Sequence, residues 1–216
     1  MRRLRLAVTS VSIVAVVAAA LLVAGPASAA TALTRTQVKH ALLTASQLGD
    51  GWQVTTGSGS GGTSEVEGCE DFETVGVRVE AERTFRFGST ATLVQETVQS
   101  FRTTDGARTD FRKGVRQLSS CSSFSINGQD WTIARLSMPT VADRRVMFQL
   151  SGAVETASGT VPLTVFVAVT VWGHHEIVTS AAIGGVTTAA VRRESAEGAR
   201  RIALAATAKV AKRLGR

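Results

Sequence analysis

Apolar positions recur along this chain with two periods, and the switches between them predict its elements. Val38, Ala41, Leu42 and Ala45 lie on one stripe of a helix that Thr34 or Thr36 can cap and that runs to about residue 47. Gly49-Asp50-Gly51 is a turn, and Trp52-Gln53-Val54 opens a short extended piece. Arg83, Phe85 and Phe87 alternate with Thr84 and Arg86 as in a strand, Gly88-Ser89 turns the chain, and residues 92–101 form a second strand. Thr104 and Asp105 are placed to cap a helix to about residue 118, with Ala107, Phe111, Val115 and Leu118 on one face. After an Asn127-Gly128 turn, strands are predicted over 131–137, 145–155, 161–172 and 176–182, with Gly173-His174-His175 as the last hairpin. A closing helix over 188–214 carries Ala199, Ile202, Ala206, Val210 and Leu214.

Short connections between successive strands favour antiparallel pairing. The pattern predicts a single α+β domain, an antiparallel sheet of about five to seven strands packed by flanking helices. The strand over 161–172 is apolar on both sides, which places it centrally. Val161, Leu163, Val165, Val167, Val169 and Val171 make an aliphatic face expected to lie under helices. Thr164, Phe166, Ala168, Thr170 and Trp172 make a mixed face, the kind expected of a half-exposed surface or ligand cleft. By alternation, Arg135, Gln149, Thr164, Thr170 and Trp172 are the candidate ligand-binding residues on one side of the sheet.

The first residues change the compartment rather than the fold. Arg2, Arg3 and Arg5 form a basic leader, residues 7–23 are nearly all apolar, Gly25-Pro26 breaks the run, and Ala27-Ser28-Ala29 offers a cleavage site. This is the three-part layout of a secretory signal peptide over 1–29, leaving a secreted chain over 30–216. Within it, 57–67 reads as a flexible Gly/Ser loop. No later stretch reaches ~18 uninterrupted apolar residues, so no spanning segment is expected after cleavage. The 216-residue chain carries 24 Lys+Arg against 17 Asp+Glu, or +7, and loss of the three leader arginines lowers this to +4. Arg, Ala, Val, Gly and Thr dominate, as in proteins from GC-rich genomes. Export makes the two cysteines informative: Cys69 and Cys121 are the available pair in an oxidising compartment. A bridge closing a loop of about 50 residues is worth roughly 4 kcal/mol in the chain-entropy account.

Chemical motifs are sparse. Gly57, Gly59 and Gly62 satisfy G-x-G-x-x-G, but an acidic stretch follows where a phosphate site needs a helix. His174-His175-Glu176 and His40 are too few and too divergent for a closed zinc site, and the carboxylates from Glu65 to Glu73 lack the spacing of a calcium loop. No G-x-S-x-G, S-x-x-K or H-E-x-x-H is present, so no catalytic residue, cofactor or metal ligand is assigned. Residues 192–216 hold eight Arg/Lys and two Glu. Of these, Arg200, Arg201, Lys209, Lys212 and Arg213 are candidates for contact with an anionic envelope polymer or lipid surface. Export, few aromatics and absent motifs argue against nucleic acid.

The layout resembles the PknH-like extracellular sensor domains of actinobacteria. The carrying residues are Leu42-Leu43 with Leu48-Gly49-Asp50-Gly51-Trp52, Cys69, and the run Val94-Gln95-Glu96-Thr97-Val98-Gln99-Ser100-Phe101-Arg102. Ala107, Phe111 and Cys121 follow, then the strands from Trp131 and the stretch from Val178 to Ala208. The resemblance implies an antiparallel sheet with flanking helices and a cleft, and a sensor or binding role without defined chemistry. Members commonly carry more than one disulfide, whereas two cysteines allow one here. No kinase-like segment is present, so a receptor role is expected to need a separate partner. The expected function is a secreted, non-enzymatic sensor of the cell envelope, cell-wall association being open, whose ligand is a small molecule or envelope component. Two alternatives stand beside it: an envelope hydrolase or transferase using carboxylates that no spacing in the sequence pairs, and a structural protein docking on anionic envelope polymer or lipid through the basic C-terminal helix.

Overall fold

In the computed structural model, the described residues are 34–55, 76–90, 92–126, 128–157, 159–185 and 188–213, with short pieces at 6–7, 63–64 and 66–67. Among these residues four helices, α1 (Arg35–Ala41), α2 (Ala45–Leu48), α3 (Thr104–Ser120) and α4 (Ala189–Arg213), flank one large antiparallel sheet. Its first strands are β1 (Trp52–Thr55), β2 (Val77–Phe87), β3 (Leu93–Phe101) and β4 (Ser123–Ile126). Then come β5 (Gln129–Leu136), β6 (Arg144–Thr156), β7 (Gly159–Trp172) and β8 (His175–Gly184). The order across the sheet is β1-β2-β3-β8-β7-β6-β5-β4, and a two-residue piece, Val66–Glu67, adds to the outer edge of β4. Eight strands exceed the predicted five to seven. The additional one is β4, which pairs with β5 across the Gly128 turn.

β7 lies centrally, as its two apolar faces predict. Its aliphatic face, from Val165 to Val171, packs with Phe148, Leu150, Val178, Trp131 and the Ala107, Phe111 and Leu118 stripe of α3. The mixed face is not half-exposed. Phe166 and Ala168 are buried with Val38 and Leu42 next to α1 and with Ala199, Ala203, Ala206 and Val210 of α4. Helices therefore cover both faces, and α3 connects β3, deep in the sheet, with the far edge strand β4.

The expected first helix is broken. Thr34 caps α1 through a reciprocal box with Gln37, but Leu42 is extended (φ −65°, ψ 146°), and Thr44 with Gln47 forms a second box that starts α2. The cause lies in β2, β3 and α4, which reach this segment from elsewhere in the fold. Glu96 Oε2 accepts from Leu43 N at 2.6 Å, while Arg83 donates to Leu43 O and Lys209 to Leu42 O. These side chains take the backbone groups that a continuous helix would need. Thr103, one residue earlier than predicted, caps α3 by accepting from Gly106 N at 2.9 Å.

Candidate ligand-binding cleft

The connection between β5 and β6, residues 137–143, does not turn tightly, and the space it leaves becomes a cleft. Phe111 of α3 and Leu136, Met138 and Val146 give it apolar walls. Arg135, Ser137, Asp143, Arg144 and Arg145 give it polar ones, and its volume is about 410 Å³. That is the lower part of the range used by small-molecule sites.

Its shape is fixed by contacts from four directions. The β7–β8 hairpin is tight, with Trp172 opposite His175 and Gly173 at φ 58°, a conformation glycine adopts without strain. Gly173 N donates to Asp143 Oδ2 at 3.1 Å. The Arg108 guanidinium on α3 lies 3.8 Å from the same oxygen. Arg145 Nε donates to Met138 O at 3.1 Å. From α4, Arg200 Nε donates to Ser137 O at 3.1 Å and its guanidinium also pairs with Glu197. Arg135 and Arg144 make no hydrogen bond or ion pair among the described residues, and both are exposed.

Of the five predicted ligand residues, the structure brings only Arg135 into the cleft. Arg135 pairs with Phe148 and shares the aliphatic face under α3, whereas Gln149, Thr164, Thr170 and Trp172 lie on the opposite face. Thr164 and Thr170 are buried, and Thr170 Oγ1 is 2.8 Å from Thr207 Oγ1 of α4. Gln149 Nε2 donates to Ser151 Oγ at 2.9 Å, and Trp172 packs at the margin of the α4 core. The reason is topological: α4 returns over the mixed face, so alternation selects packing positions there. Sequence reasoning missed Asp143, Arg144 and Arg145. The clustering of Arg144 and Arg145 beside Arg135 across a non-turn connection was the available signal.

The basic C-terminal helix is partly committed inward. Lys209 donates to Leu42 O and to Gln47 Oε1, and Arg200 holds the cleft loop, leaving Arg201, Lys212 and Arg213 exposed. His175, placed in the hairpin by the sequence pattern, is buried in β8. Burial, aided by the neighbouring His174 ring, pulls its pKa down to about 3, so it is neutral at ordinary pH. Next to it, Glu176 is buried beneath α3, and burial first, the Asp110 carboxylate second, raise its pKa well above 4.5. Asp110, on the buried face of α3, and Glu176, beneath it, do not line the cleft, whose described lining holds Asp143 as its carboxylate. All of the signal peptide except residues 6–7, the G-x-G-x-x-G glycines, Cys69 and most of the acidic cluster lie outside the described residues. Among the described residues no helix is long and apolar enough to cross a membrane.

With this geometry in place, comparison with solved structures is informative. The fold is similar to that of the extracellular domain of PknH from Mycobacterium tuberculosis. The TM-score is 0.57 at 14% sequence identity, over 83% of this chain and 97% of that one. At that identity the likeness is one of fold, and it is the fold that the sequence resemblance implied. No protein-family profile matches the chain, and no curated protein sequence does.

Proposed function

We propose that this chain is a secreted, non-enzymatic sensor or ligand-binding domain of the cell envelope, and that its ligand site is the cleft at the β5–β6 connection. The observation that carries the reading is the cleft itself: about 410 Å³, braced by Gly173, Arg108 and Arg200, with the Arg135 and Arg144 side chains uncommitted among the described residues. A braced cavity with unpartnered charged groups at its rim is organised for a ligand rather than for packing. Likeness of fold to an extracellular domain supports the compartment. The leader over 1–29 would direct export, and a Cys69–Cys121 bridge would tie the segment before β2 to the end of α3.

The competing hydrolase reading needs two carboxylates across a pocket. Asp143 has its Oδ2 engaged by Gly173 N–H and Arg108 beside it, and the two other carboxylates near α3, Asp110 on its inner face and Glu176 beneath it, are buried away from the cleft. The test is amide chemical-shift mapping of the ¹⁵N-labelled mature chain with the small-molecule fraction of spent culture medium. Shifts gathered at Phe111, 135–146 and Gly173 are expected. Shifts scattered elsewhere, or none, would contradict the reading.

A further inference from the structure

We propose that the cleft takes an organic anion, a carboxylate or phosphate head on a small apolar body; this rests on the cleft being the ligand site and adds the ligand's chemical class. Arg135, Arg144 and Arg145 line the cavity, and Arg108 stands behind Asp143. Three arginines thus line a cavity whose described lining holds one carboxylate, and that carboxylate already accepts from Gly173 N–H and lies beside Arg108. A cationic ligand would enter against net like charge, and a neutral one would leave Arg135 and Arg144 without a counter-charge.

The guanidinium geometry suits an oxyanion. Arg145 is held through Nε by Met138 O, which fixes its plane and leaves its two terminal nitrogens for another acceptor. Arg135 and Arg144 have no partner among the described residues. A planar fork of N–H donors matches the paired oxygens of a carboxylate or phosphate, and such charge-assisted bonds are stronger than neutral ones. The remaining wall is Phe111, Leu136, Met138 and Val146. A small, fully hydrated ion would leave that apolar surface uncovered, so the complementary ligand carries an apolar part beside its charge.

Calorimetric titration of the mature chain with four probes tests this: phenyl phosphate, phenylacetate, inorganic phosphate and benzyl alcohol. The two aromatic anions are expected to bind at least about tenfold more tightly than either inorganic phosphate or benzyl alcohol. The tighter of the two identifies the head group. Arg135→Gln and Arg144→Gln should each weaken the aromatic anion by roughly tenfold without moving the melting temperature, because neither side chain supports the fold. Added salt should weaken binding further. Equal binding of benzyl alcohol, indifference to both substitutions, or no binding of any probe would overturn the proposal. If the spent-medium fraction still shifts the amides at 135–146 in that event, the anion class is wrong and the site stands. If it does not, the reading of the cleft as the ligand site falls too.

Discussion

Glu96 has no exposed surface, yet Leu43 N–H, Arg83 and Lys209 surround it. Burial outweighs these partners and pushes its pKa up to about 7. A carboxyl whose folded pKa lies above its unfolded value stabilises the fold fully below about pH 4.5, and that contribution is lost as pH rises through about 7. A displacement of that size corresponds to roughly 3 kcal/mol. His175 acts in the opposite sense: its folded pKa near 3 gives stability present above about 6.5 and lost as pH falls toward 3. Glu96→Gln should therefore reduce the loss of stability between pH 5 and pH 8 by a few kcal/mol. Urea unfolding at both pH values measures it, and an unchanged pH difference in the variant would disprove the assignment. Glu96 was legible as an anomaly, a Glu between Val94 and Val98 on an apolar face. Asp110 was similarly visible on the α3 stripe between Ala107 and Gly114. Gly152 was not legible, because its constraint comes from another strand. A Cβ there would run into the buried Trp131 ring, well inside van der Waals contact. Gly152→Ala is expected to cost about 3 kcal/mol or more, read as a fall in melting temperature. An unchanged midpoint would mean that the indole can move aside.

Element boundaries failed where distant side chains intervene. The α1–α2 break follows from Glu96, Arg83 and Lys209 competing for the backbone of Leu42 and Leu43, which no local pattern reveals. Arg83→Met and Lys209→Met should loosen this join, lowering hydrogen-exchange protection of the Leu43 amide by about tenfold while leaving β7 amides protected. Equal loss in both places would indicate global destabilisation instead. β4 was missed for a different reason. Ser123-Phe124-Ser125-Ile126 alternates over four residues only, too short to stand out, and becomes a strand because Gly128 turns it back onto β5. The long strands needed less context: β7 and β8 are rich in apolar and β-branched residues and were read at 161–172 and 176–182, within two residues of their observed ends, with His175 left in the hairpin. The mixed face of β7 was misread because alternation shows which residues share a side but not which helix returns to cover it.

At the scale of the whole molecule, three segments far apart in sequence build the cleft: α3, the β5–β6 connection and the β7–β8 hairpin, with α4 bracing from outside. Composition hinted at basic character, yet most of the legible charge lay in the leader and the C-terminal helix. A Cys69–Cys121 bridge would add a further long-range tie, since Cys121 ends α3 and is buried. The denatured secreted chain should weigh two hydrogens less than its reduced form, and Cys69→Ser should cost about 2–4 kcal/mol. A reduced mass without treatment would exclude the bridge. Native mass spectrometry of the mature protein from its own culture medium, beside a Ser137→Trp variant that fills the cleft, tests the account most directly. The account predicts a reproducible added mass on the parent, lost on denaturation and absent from the variant. The same added mass on both proteins would contradict it.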